Sequence, residues 1–228
     1  MTTSTHTAAR RAGVLYLIMA AVMVFAFMYI PAVFVVSGDA AATARNITER
    51  ASLYRVGVLA ALLSHVLFIF VVLALYRLFR EVDGRLAVLI VALVCVGAAA
   101  ELANLVNRVA PFALLSGAEF LSVFSRAQLE ALAYLFLRLN NLLGQLLMAI
   151  WGLWLIPFGL LVLKSRWFPR ILGWLLFVVG AAYLIGMVTR LVMPTAYAVI
   201  SPFLLPLALG ELGIVLWMAI LGAREVRA

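Results

Sequence analysis

The sequence predicts an all-α, polytopic integral membrane protein: a six-transmembrane-helix bundle in one domain, with both termini cytoplasmic. Three observations predict it. Of 228 residues, 68% are hydrophobic and 11% charged, too little polar surface for a water-soluble domain. The apolar residues form six continuous runs, each long enough to cross a hydrocarbon core of about 30 Å. None alternates as a barrel strand would. The basic residues, which give a net charge of +8, sit at the ends of these runs. That is a topology signal. It makes membrane lipids, and no nucleic acid, the expected partners.

The first run, 13–36, follows Arg10 and Arg11. It is too long for a cleaved signal and long enough to span, so residues 1–12 read as a cytoplasmic tail. The other runs are 56–76, 86–106, 141–163, 171–192 and 203–222, which bounds the transmembrane domain at 13–222 and leaves 223–228 as a second tail. One side of the membrane receives Arg10, Arg11, Arg77, Arg80, Arg85, Lys164, Arg166, Arg170, Arg224 and Arg227. The other receives Arg45, Arg50, Arg55 and Arg126, mixed with acids. The excess places both termini inside and requires an even number of spans.

The inner links, around Arg80–Arg85 and Lys164–Arg170, are short, so helices two and three pair antiparallel, as do four and five. The outer links are longer. Asp39 is a good N-cap for a short surface helix. Ser116-Gly117 reads as the stop of helix three. Ser125 and Gln128 form a capping box, so helix four starts well before the hydrocarbon core. The link 193–202 has no charge and two prolines, and is expected in the interface. Cys95 lies inside an apolar run and has no partner for a disulfide.

The candidate site comes from polar residues where lipid is expected. Glu101, Asn104 and Arg108 recur at i, i+3 and i+7, on one helical face. Arg138, Asn141 and Gln145 repeat that spacing on helix four. Counting about 1.5 Å per residue from each inner end puts His65, Tyr183 and Glu211 near the midplane, Glu101 and Gln145 above it, and Arg190 near the outer interface. Buried polar groups of this kind turn inward. The expectation is an outward-facing pocket lined by all ten of these residues. Its arginines would fork an anionic or zwitterionic head group.

Two other readings stay open. The polar stripes could be interhelical hydrogen bonding in a non-catalytic scaffold, or the pocket could belong to an intramembrane enzyme acting on a lipid-embedded substrate. The enzyme reading has little support. There is no metal-binding spacing around His65, Glu101 and Glu211, and Ser64 and His65 are adjacent and cannot face each other on a helix. No cofactor is expected, and the leading reading is non-enzymatic: binding, or translocating, a small amphiphile.

Several motifs carry a family resemblance across nearly the whole chain. They are Gly38-Asp39 with Thr43, Arg45, Asn46 and Ile47; Tyr54-Arg55 with Gly57; Leu75-Tyr76-Arg77-Leu78-Phe79-Arg80; Gly152 through Pro157; Lys164-Ser165 with Pro169-Arg170 and Gly173; Tyr183-Leu184; and Gly210-Glu211 with Leu216-Trp217. Together they resemble the bacterial membrane family called domain of unknown function 4386. The resemblance implies six helices and a bacterial plasma (inner) membrane location, and no established activity. It implies a histidine where this chain has Asn140 and an aspartate where it has Gly186. Glu211 is retained, which makes it the leading candidate for a family-wide role.

Overall fold

The computed structural model describes residues 3–224. Arg227 and the rest of 225–228, assigned above to an inner tail, lie outside the described residues, as do residues 1–2. The described chain is helical with no strand. Five stretches are long and apolar enough to cross a membrane: Thr5–Phe34, Ala51–Phe79, Gly84–Leu114, Arg126–Ser165 and Arg170–Val192.

In order, α1 covers Thr3–Val24, a π-helical turn covers Phe25–Tyr29 and α2 covers Ile30–Phe34. The helix therefore starts ten residues before the expected span, and Ala9 and Ala12 in that segment are buried. Next come α3 (Ala40–Glu49), α4 (Ala51–Phe79) and α5 (Gly84–Leu114). Then follow α6 (Arg126–Leu153), α7 (Leu155–Ser165), α8 (Arg170–Val192), α9 (Pro194–Ala208) and α10 (Gly210–Leu221).

The caps are where the sequence placed them. The Asp39 side chain accepts from Ala42 N at 2.8 Å and starts α3. Gln128 Oε1 accepts from Ser125 N at 2.8 Å, and Ser125 Oγ accepts from Gln128 N at 3.3 Å, completing the capping box of α6. Two expectations change. The predicted span 141–163 is interrupted at Trp154, because Pro157 has no N–H for the Leu153 carbonyl and α6 ends at Leu153. The predicted link 193–202 is helix instead. Pro194 sits at the first position of α9, where a missing N–H costs nothing, and α9 packs against α8.

Contacts divide the chain into two compact units. The first comprises residues up to Met19, Leu67–Ala99 and everything from Gln145; the second comprises Ala20–Val66 and Ala100–Gly144. In the first unit, α8 packs on α7, α9 and α10. Glycines set its closest approaches. A Cβ on Gly152 would lie 2.8 Å from the Gly180 carbonyl oxygen, and one on Gly159 would lie 3.0 Å from that of Gly173. The pairs 152/180 and 159/173 run in opposite directions, an antiparallel seam where backbones meet directly.

Two short links of the first unit, around Asp83 and after Lys164, are tied by an ion pair. Asp83 Oδ1 caps α5 by accepting from Arg85 N and Leu86 N, both at 3.1 Å. Its Oδ2 accepts from Lys164 Nζ at 2.6 Å. The Lys164 hydrogen bond, aided by the backbone N–H of Leu86, holds the Asp83 carboxyl below the usual carboxylate range. A depressed carboxyl stabilises the fold above its unfolded-state pKa, and that contribution is lost as pH falls through the folded value. Asp83→Asn is therefore expected to lower the melting temperature in detergent at neutral pH. The gap from wild type should close only below about pH 4. A gap unchanged down to pH 2 would rule the ion pair out as its cause.

The second unit has its own core. Ile30, Phe34, Ile47 and Tyr54 are buried together, with Phe25, Val33, Phe112 and Leu137 packed against them. Tyr54 meets Phe34 and Phe112 edge-on, at ring distances of 5.2 and 5.0 Å, the favoured aromatic arrangement.

Candidate functional site

Of the ten predicted site residues, His65, Glu101, Asn104, Arg108, Arg138 and Asn141 belong to the second unit. Gln145, Tyr183, Arg190 and Glu211 belong to the first.

In the second unit the centre is Arg108. Its side chain answers a defect in the first helix. Ile30 N donates to Phe25 O, one residue further back than in an α-helix. In that wider register the next donor would be residue 31, directed at Ala26 O. Residue 31 is proline and has no N–H. The orphaned Ala26 carbonyl is taken instead by Arg108 Nη1 at 3.0 Å. Arg108 Nε donates to Asn140 Oδ1 at 3.0 Å, and its guanidinium lies 4.4 Å over the Phe27 ring, a cation–π contact. The Tyr54 hydroxyl donates to the Arg108 carbonyl at 2.9 Å.

One turn back, Asn104 locks α5 to α6. Its Nδ2 donates to Asn140 O at 3.0 Å and to Glu101 Oε2 at 3.2 Å. Asn140 Nδ2 returns a bond to Asn104 O at 3.2 Å, and Asn107 Nδ2 donates to Asn104 Oδ1 at 3.0 Å. His65 is buried, with Nδ1 2.8 Å from Ala61 O. A carbonyl only accepts, so Nδ1 carries the proton. Phe27 stands edge-on to His65 at 5.6 Å. The first polar stripe thus comes together as the sequence spacing implied. On the second stripe, Arg138 and Asn141 are exposed, and the α6 residue bonded to Asn104 and Arg108 of α5 is Asn140, about 100° round the helix from Asn141.

In the first unit, Gln145, Tyr183 and Arg190 line a cavity of about 220 Å³ with Met148, Met187 and Tyr197. Ser201 and Leu204 of α9, a segment read from sequence as a link, form part of its wall. The Arg190 guanidinium lies 5.1 Å over the Tyr197 ring, and no carboxylate among the described residues pairs with it. Glu211 accepts a hydrogen bond from the Tyr16 hydroxyl and lies within electrostatic reach of Tyr183. Tyr16 is buried against Phe68 and Trp154, at ring distances of 6.0 and 6.3 Å. Among the described residues, no three His, Cys, Asp or Glu side chains gather as a metal site would require.

Sequence reasoning missed Tyr16, Asn140, Tyr197 and Ser201 as site residues. Pro31 inside an apolar run was a signal for the break that Arg108 repairs. The two departures noted above, Asn140 and Gly186, both fall in polar constellations, the first on Arg108 and the second in the cavity wall.

Long apolar helices with charges buried between them define a polytopic helical membrane protein. The chain belongs to the family described as Domain of unknown function (DUF4386), whose sequence pattern matches residues 11–222. No curated protein and no solved structure matches it.

Proposed function

We propose that this protein binds a small amphiphile or lipid head group in an outward-facing polar pocket. In this reading it crosses the bacterial plasma membrane six times, with both termini inside, and α9 with α10 makes the sixth crossing. The observation that carries the binding reading is the cavity of the first unit. It pairs an apolar wall of Met148, Met187 and Leu204 with the hydroxyls of Tyr183, Tyr197 and Ser201. At its edge stands Arg190, a cation without a carboxylate partner among the described residues. Methionine side chains adapt to flexible acyl chains, and a guanidinium suits a phosphate or carboxylate. The basic residues at the inner ends of the helices support the orientation.

The test is equilibrium binding of a fluorescent short-chain phosphatidylglycerol to the full-length protein in detergent. Saturable binding is expected, and Arg190→Ala should weaken it about tenfold, the loss of one charge-assisted hydrogen bond. Binding that does not saturate, or that Arg190→Ala leaves unchanged, would sink the reading.

A further inference from the structure

The beginning of α1 carries cations that the fold leaves unanswered. Among the described residues, ion pairs join Arg80 to Glu81, Arg126 to Glu130 and Lys164 to Asp83. None reaches Arg10 or Arg11, and both residues are exposed. Arg10 is nonetheless placed. Its Nε donates a long bond, 3.5 Å, to Ala219 O in the last turn of α10. Just past that turn Gly222 makes room for it: a Cβ there would lie 3.0 Å from Arg10 Cγ and 2.9 Å from the His6 ring. All of these α1 and α10 residues belong to the first unit.

His6, Arg10 and Arg11 stand at one end of an open groove of about 500 Å³, and Val14, Leu15 and Ile18 continue it along α1. Spacings of three and four residues put them on one side of the helix. Val14 is 46% exposed and Ile18 51% exposed. Charge and apolar surface thus follow the order of an anionic phospholipid, head group first and acyl chain after. The apolar part lies in Thr5–Phe34, a stretch long and apolar enough to cross a membrane. A soluble polyanion would match the arginines and leave Val14 and Ile18 in water, an unfavourable exposure. Two guanidiniums suit a phosphodiester, and basic clusters beside membrane helices attract anionic lipids.

We propose that this groove binds one anionic phospholipid of the surrounding leaflet. Arg10 and Arg11 take its phosphate, and Val14, Leu15 and Ile18 take the start of an acyl chain. Arg10, set against α10, fixes where the phosphate sits, and Arg11 adds charge from the open side. The groove shares no residue with the cavity around Arg190, so it goes beyond the reading above and either can fail alone.

The test is native mass spectrometry of the full-length protein in detergent with equal amounts of dioleoyl phosphatidylglycerol and dioleoyl phosphatidylcholine. The two probes share their chains and differ in net charge. Every protein compared carries Arg190→Ala, so that the other cavity contributes no cation. Bound phosphatidylglycerol is expected to exceed phosphatidylcholine about tenfold. Adding Arg10→Gln/Arg11→Gln should bring the ratio near one. Adding Arg85→Gln/Arg170→Gln removes as much charge from two other exposed arginines and should leave the preference intact. Arg11→Gln alone changes an exposed side chain with no hydrogen bond among the described residues. It should lower the ratio several-fold, which keeps the idea testable if the double variant misfolds. Equal binding of the two lipids would overturn the proposal. So would a preference that survives Arg10→Gln/Arg11→Gln, or one that both arginine pairs lower alike. Glycerol 3-phosphate that displaces the lipid at equal concentration would also overturn it, by showing a site for a soluble phosphate.

Discussion

Arg108→Ala is expected to lower stability by about 3 kcal/mol or more. The magnitude follows from what the guanidinium holds. Without it the Ala26 carbonyl has no donor, because the π-helical register points it at Pro31. Asn140 Oδ1 loses its partner as well, and the Phe27 ring loses its cation. The same argument predicts a rescue. Pro31→Ala supplies the N–H that the register lacks, so the Arg108→Ala/Pro31→Ala double variant should recover about 1 kcal/mol. Pro31→Ala alone should change little while Arg108 is present. Unfolding in mixed micelles measures all four proteins, and the coupling is the difference between the double variant and the sum of the singles. Strict additivity would show that Arg108 does not act through Ala26.

The second large effect is expected at Gly13. A Cβ there would overlap the backbone nitrogen of Ala219 and stand 2.5 Å from the Met218 carbonyl carbon. Both obstacles are backbone in α10, which cannot turn aside as a side-chain tip can. Overpacking of this kind typically costs about 1–3 kcal/mol. Gly13→Ala should reach the top of that range and Gly13→Leu should exceed it, as loss of monodisperse protein on size-exclusion chromatography. Gly84→Ala is the control, since nothing lies within 4 Å of its added Cβ. If Gly13→Leu and Gly84→Ala behave alike, α1 does not approach α10 so closely.

These two positions show where sequence reading reaches its limit. Helical class, long apolar segments, the cap at Asp39 and the box at Ser125 depend on residues within one or two turns, and all were legible. So was the face shared by Glu101, Asn104 and Arg108, which needs only a period of 3.6. The backbone contact at Gly13 involves residues more than two hundred positions apart, and glycine in an apolar run says nothing about which backbone it meets. The π turn adds one residue to a helical register. That rotates everything after it, and no composition signal distinguishes it from a proline kink. The choice between Asn140 and Asn141 is likewise a matter of about 100° of rotation, fixed by the tertiary partner Arg108. Segment 193–202 was misread because two prolines suggest a loop, although one stands at a helix start.

The ion pair between Lys164 and Asp83 has a practical consequence. Lys164 is the sole lysine in the sequence, and its ammonium is half exposed yet bonded to Asp83. Amine-directed reagents such as activated esters therefore have one side-chain target, and acylation requires the amine to leave the carboxylate and lose its proton. The labelling rate at that nitrogen becomes a clock for the opening of the two links that this pair ties together. It can be read by mass in native membranes, without any introduced probe.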